Sequence, residues 1–203
     1  MDWLMARYEP LEIEYKVAAT FALGMLISNY RFELHNPEHN MQIIMALDDM
    51  HIKPEQVPDI PALVFMLPSF TTAQTEPHVT AVVEQLSSTY FVVMRDRLDL
   101  LTCSTFALGW SMCNCYNPDL LDQMSESIIK KNNEGVFFES GDESEIVNLL
   151  SGMSNLGYRN EEVYQILHDH LVGPNFAATG EIEGQYDFFT LFNIISSFGR
   201  TFP

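Results

Sequence analysis

Along most of this chain apolar residues recur at spacings of three and four, the period of a helix that buries one face. The pattern is sharpest over residues 144–173. There Ile146, Leu149, Leu150, Met153 and Leu156 share one helical face. Gly157 follows, and glycine takes the left-handed conformation that closes a helix end. Asn160 then offers a side-chain oxygen to the first amides of a second helix, with Glu161 and Glu162 at that helix's positive end. Val163, Ile166, Leu167 and Leu171 form its apolar face, and Gly173 with Pro174 stops it. Two such helices cannot bury both faces against each other, so the hairpin requires neighbours.

The rest of the chain supplies them. Ser28, Ser69, Ser111, Ser154 and Ser196 lie 41 to 43 residues apart. Five residues before each stands an apolar residue: Leu23, Val64, Phe106, Leu149 and Leu191. After the serines, turn signals fall in register at Asn36-Pro37, Glu76-Pro77, Asn117-Pro118 and Asn160-Glu161. Proline suits a helix's first turn because its missing amide hydrogen would have had no partner there. A period near 42 built of helix, turn and helix predicts an all-α fold, an α-solenoid of about five helical hairpins.

The predicted units run roughly 11–50, 51–98, 99–141, 142–184 and 185–203, within a single helical-repeat domain over 1–203. Their helices are expected near 11–30, 37–50, 60–72, 78–98, 100–114, 118–131, the 144–173 pair and 186–198, the last ending at Gly199. Pro68 should kink the helix over 60–72. The run 90–94 is β-like in composition. Residues 131–142 read as a polar loop, with Ser140 and Glu143 as a capping box for the helix that follows. The fifth unit is incomplete, lacking its second helix.

Charge changes the picture more than length does. Of 203 residues, 28 are acidic and 10 basic, a net charge of −18. Phosphate binding needs clustered Lys and Arg, so this balance disfavours nucleic acid and anionic membranes as main partners. Basic partner proteins fit it better. Only 19% of residues are charged, while 14 are Phe and 11 Met, and part of that apolar surface is expected to lie against other subunits. The longest apolar run, 17–27, is 11 residues, short of the roughly 20 that a membrane-spanning helix needs. The acidic N-terminus carries neither a signal-peptide nor a transit-peptide pattern.

Candidate chemistry is sparse. Cys103, Cys113 and Cys115 are an odd count without a C-x-x-C pair, which suits small buried hydrophobes; on a helix Cys113 and Cys115 would point to different sides. His168 and His170, two apart, share no helical face. His35 and His39 have the i, i+4 spacing of a metal pair, but Asn36-Pro37 falls between them and no third ligand is evident. The acidic run 139–145 lacks the alternation of a calcium loop. No phosphate loop, dinucleotide fingerprint or nucleophile elbow occurs. The expectation is therefore no catalytic, cofactor-binding or metal residue, and no enzyme. Arg95 with Arg97 and Lys130 with Lys131 are the positions for any phosphate or partner contact, although Lys130 and Lys131 also suit a helix C-terminus.

The phrase LLSGMSNLGYRNEEVYQIL resembles the repeat of the octotricopeptide and FAST-kinase-like families, through Leu149, Leu150, Met153, Leu156, Gly157, Tyr158, Glu161, Glu162, Val163 and Leu167. A second copy spans 106–124, with Tyr116, Pro118 and Leu121. The resemblance implies an α-solenoid in mitochondria or chloroplasts, acting on organellar RNA or as a scaffold subunit. The chain departs from the RNA-binding pattern in its acidity, its lack of a basic stripe and its lack of a C-terminal nuclease-like domain. The expected function is a non-catalytic protein–protein interaction module, an accessory or scaffold subunit of a larger mitochondrial complex. The alternatives are an organellar RNA-binding repeat protein acting in transcript processing or translation and, for location, the cytoplasm.

Overall fold

The structure is a computed structural model that describes residues 16, 19–20, 37–48, 57–58, 60–140, 142–173 and 186–202. Among these it is all-helical, with eight α-helices and no strand. They are α1 (Pro37–Asp48), α2 (Ile60–Met66), α3 (Glu76–Met94), α4 (Leu100–Met112), α5 (Pro118–Asn133), α6 (Glu143–Asn155), α7 (Glu161–Val172) and α8 (Phe188–Thr201). The helix expected over 11–30 falls outside the described residues except at 16, 19 and 20, which are helical.

Local sequence explains where the helices begin. Asp99, Asn117, Asn160 and Asp187 each accept a hydrogen bond from a backbone N–H in the first turn of the helix they precede, at Thr102 (2.8 Å), Leu120 (3.1 Å), Val163 (3.2 Å) and Thr190 (2.7 Å). At α6 the capping box is Asp142 with Glu145, and not Ser140 with Glu143. Asp142 receives the Ser144 N–H, and Glu145 returns to accept from the Asp142 N–H at 2.9 Å.

The ends follow equally local rules. Asn114, Gly135 and Gly157 take positive φ of 52°, 77° and 70°. In each case the following amide reaches back five residues: Cys115 N–H to the Trp110 carbonyl (2.8 Å), Val136 to Lys131 (3.1 Å) and Tyr158 to Met153 (3.1 Å). This closure satisfies carbonyls that a helix end leaves open.

The helix expected over 78–98 is present and includes the run 90–94, β-like in composition, because Tyr90 and Phe91 bury in the packing between α3 and α4 and tertiary burial overrides propensity. Two expectations about elements are corrected. Helix α8 continues past Gly199 to Thr201, where no side chain or turn intervenes. The loop over 131–142 is not wholly polar: its short 3₁₀ turn, Phe137–Ser140, drives Phe137 into the core. At Pro68 the regular helix does not continue: α2 tightens into a 3₁₀ turn over Leu67–Phe70.

Packing follows a simple rule. Helices α2, α4, α6 and α8 pack each on the next, and α1, α3, α5 and α7 do the same alongside. One continuous hydrophobic core runs through both sets, from Ile43 to Ile194. Two glycines let the first set approach closely. A β-carbon on Gly109 would stand 2.7 Å from the Val64 carbonyl oxygen, and one on Gly152 would stand 2.5 Å from the Ala107 carbonyl carbon. Between α6 and α8 the contact is made by hydroxyls, with Ser154 Oγ donating to the Ser197 carbonyl at 3.0 Å.

The second set is joined by larger groups. Tyr158, at the turn before α7, donates its hydroxyl to Asp122 of α5 at 2.7 Å and lies 3.0 Å from Ser125. At the centre Tyr90, Phe91, Phe106 and Trp110 pack with neighbouring ring centres 5.1–6.3 Å apart, while Trp110 Nε1–H donates to Ser87 Oγ at 2.8 Å.

Candidate functional site

The two elements that carry the four cations singled out in the sequence pack together. Arg95 and Arg97 form the 3₁₀ turn after α3, and it packs beside α5, whose last turn carries Lys130 and Lys131. Acids interleave with them. The Arg95 guanidinium donates to Glu126, and Lys130 Nζ lies 3.4 Å from Asp96 Oδ1. Both pairs are exposed, so each contributes at most about 1 kcal/mol, yet they offset the positive field that a phosphate would require.

The histidines separate as their spacing requires. His168 Nδ1 sits 3.1 Å from Asp169 Oδ1, and its ring meets the edge of Phe198. His170 stacks flat on Phe138, 3.8 Å between ring centres. Burial against that ring holds the His170 pKa below the ordinary imidazole value, and Glu143 opposes the shift. His39 falls in α1, and His35 lies outside the described residues. Among the described residues no group of three His, Cys, Asp or Glu is placed to hold a metal ion.

All three cysteines are buried free thiols. Burial pushes the Cys103 thiol far up. Cys113 and Cys115 do not point apart, because they are not on one helix: the left-handed Asn114 turns the chain back between them. The two thiols act on each other, which lowers Cys113 and raises Cys115. Cys113 Sγ also donates to the Gly109 carbonyl at 3.2 Å.

A cavity of about 810 Å³ opens where the N-termini of α6 and α8 meet the end of α7, lined by Asp142, Glu143, His170, Tyr186, Asp187 and Thr190 among others. Two of its acids, Asp142 and Asp187, are engaged as caps. Hydrogen bonds from Ser144 and Glu145 hold Asp142 down to about 2, and those from Thr190 lower Asp187.

Among the described residues, the exposed large apolar side chains concentrate on α8. Phe188, Phe189, Phe192 and Ile195 are 75%, 76%, 60% and 68% exposed. Their spacing of one, four and seven residues puts them on one face. Beside them a groove of about 330 Å³ runs between α7 and α8, lined by Glu161, Tyr164, Gln165, His168, Phe198 and Phe202. Sequence reasoning did not single out this face. The signal that could have found it is the serine register, which aligns these four residues with Ile146, Val147, Leu150 and Met153 of α6.

Among the described residues no helix is long and apolar enough to cross a membrane. Comparison with protein-family models, with curated proteins and with solved structures found no match for this chain.

Proposed function

We propose that this chain is a non-catalytic interaction module, an α-solenoid of about five helical hairpins with a period near 42 that serves as an accessory or scaffold subunit of a larger organellar assembly. The observation that carries the reading is the recurrence of one local design at a fixed offset. Asp99 and Asp142 cap α4 and α6, Asn114 and Gly157 turn the chain left-handed, and Asn117 and Asn160 cap α5 and α7. All three pairs are 43 residues apart. The packing of every second helix on the next agrees with a repeat array, whose units bury their faces only against neighbours.

The interaction role rests on exposed apolar surface together with a charge of −18, a combination suited to basic protein partners. The mitochondrial location rests on the repeat resemblance alone. RNA binding draws on Arg95, Arg97, Lys130 and Lys131, of which Arg95 and Lys130 are paired with Glu126 and Asp96.

Native capture of the tagged chain from its own cells, with and without nuclease, tests the reading. A stoichiometric set of proteins that survives nuclease and co-fractionates with mitochondria is expected. A monomer without partners would overturn it, and partners lost on nuclease treatment would favour the RNA-binding alternative.

A further inference from the structure

Continued as a helix, the chain after Met112 would send Cys113 and Cys115 to different sides. It does otherwise. Helix α4 ends at Met112, Asn114 takes φ of 52°, and the Cys115 N–H turns back to the Trp110 carbonyl at 2.8 Å. Both cysteines are only 3% exposed. Met112, Asn114 and Tyr116, which alternate with them, are exposed. The sulfur pair therefore lies directly under a surface turn.

Cys103 provides the contrast. It sits within α4, and burial is the main influence on its thiol, which is pushed far up. For Cys113 the largest influence is the Cys115 side chain, and for Cys115 it is the Cys113 side chain. Cys103 is a buried hydrophobe; the other two form a donor pair.

Hydrogen bonds hold the turn that makes the pair. Thr80 Oγ1 of α3 donates to the Cys113 carbonyl at 3.1 Å. The Asn117 side-chain amide donates to Glu84, one turn further along α3, and Cys113 Sγ–H reaches the Gly109 carbonyl at 3.2 Å. Ligands fixed by their surroundings need little reorganisation to receive a guest.

The donor set selects that guest. Zinc and iron–sulfur centres take four ligands, and calcium and magnesium take oxygen. Among the described residues no third His, Cys, Asp or Glu joins the two sulfurs. Soft thiolates favour cuprous copper, a closed-shell ion that accepts two sulfurs in line. Charge agrees. Two thiolates out of water and beside Glu84, which raises Cys115, would repel one another and lose their hydration, and a bound cation offsets both costs.

We infer that Cys113 and Cys115 form a two-coordinate site for cuprous copper, bound by both sulfurs beneath the turn between α4 and α5. Binding exchanges two S–H bonds for two Cu–S bonds and releases two protons. The metal remains Cu(I), and nothing is oxidised or reduced. The inference is independent of the scaffold reading.

The test offers Cu(I), as its bicinchoninate complex, to the full chain in reduced form without oxygen. Loss of the complex's colour should show one copper taken per chain, and X-ray absorption should show two sulfurs around it. Cys113→Ser and Cys115→Ser should each weaken uptake by at least about tenfold with an unchanged helical spectrum, and Cys103→Ala should leave it unchanged. Serine at a buried position can disturb the turn, so the unaltered chain supplies a second reading: one equivalent of Cu(I) should slow alkylation of both Cys113 and Cys115 without changing that of Cys103. Failure to compete for copper would overturn the site. So would uptake retained by either serine variant, three or four sulfurs around the metal, one copper shared between two chains, or displacement of the copper by excess Zn(II).

Discussion

Helices α6 and α8 are close relatives in pattern with opposite surroundings. Each opens on a capping aspartate, each carries apolar residues in the same register, and each packs one face on the preceding helix of its set. Helix α6 has a neighbour on both sides and exposes no large hydrophobic residue, whereas α8 exposes four on one face. The difference shows that in this fold an apolar stripe specifies a helix but does not determine whether that helix is covered. For α6 that cover comes from α4, α7 and α8.

The comparison can be broken most forcefully in the interior. Trp110→Ala would empty the centre of the aromatic stack and strip Ser87 of its indole donor, at a cost of about 3–5 kcal/mol. A large fall in thermal midpoint is expected across the whole helical signal, and a midpoint within a degree or two of the parent would show that α3 and α4 do not form one core. Next comes Gly152→Ala. The added carbon would press on backbone at Ala107 and cannot be relieved by turning a side chain, so a loss of about 1–3 kcal/mol is expected despite alanine's better helix propensity.

Smaller changes sharpen the contrast. Asp99→Ala should cost about 1 kcal/mol, because it uncaps a helix held on both sides. Its counterpart Asp187→Ala should leave the global midpoint nearly unchanged and speed amide exchange in the first turn of α8 alone. Exchange spreading into α6 would mean that the end helix is as tightly coupled as the middle ones.

Gly199→Ala goes the other way. Nothing lies within 4 Å of a carbon added there, so the chain should gain about 0.5–1 kcal/mol, in contrast to the loss at Gly152. A loss at Gly199 as large as at Gly152 would imply a neighbour against α8.

The smallest effect concerns protons. The His170 pKa is lowered in the folded chain, so between that value and the ordinary value of about 6.5 the unfolded chain binds more protons. Its contribution to stability is therefore complete above about 6.5 and diminishes as pH falls through that window. Replacement of His170 by Asn should flatten the difference in midpoint between pH 7 and pH 5.5, and an unaltered difference would place its cause elsewhere.

Much of the architecture was legible because its signals are local. Gly157 with its positive φ, Asn160 as a cap, the end of regular helix at Pro68 and the apolar faces around Leu149 and Leu167 all follow from a few adjacent residues. What escaped depends on distant neighbours. Gly109 and Gly152 read as weak spots in helices until the helix opposite each is known. Tyr164 drew no notice in the sequence, yet it is buried, with its hydroxyl donating to the Tyr158 carbonyl and receiving the Thr201 hydroxyl. Cys113 and Cys115 face each other because Asn114 takes a conformation that asparagine adopts more readily than most residues but does not announce. The exposed face of α8 has the composition of a core face, and nothing within the helix distinguishes the two.

The glycine contacts also bear on mechanics. Where Gly109 and Gly152 bring backbones together, successive helices of that set are drawn in, while across the molecule tyrosine, asparagine and carboxylate side chains hold the other set apart. Backbone pressed on backbone cannot compress further, so at Gly109 and Gly152 those helices can part but cannot be driven closer.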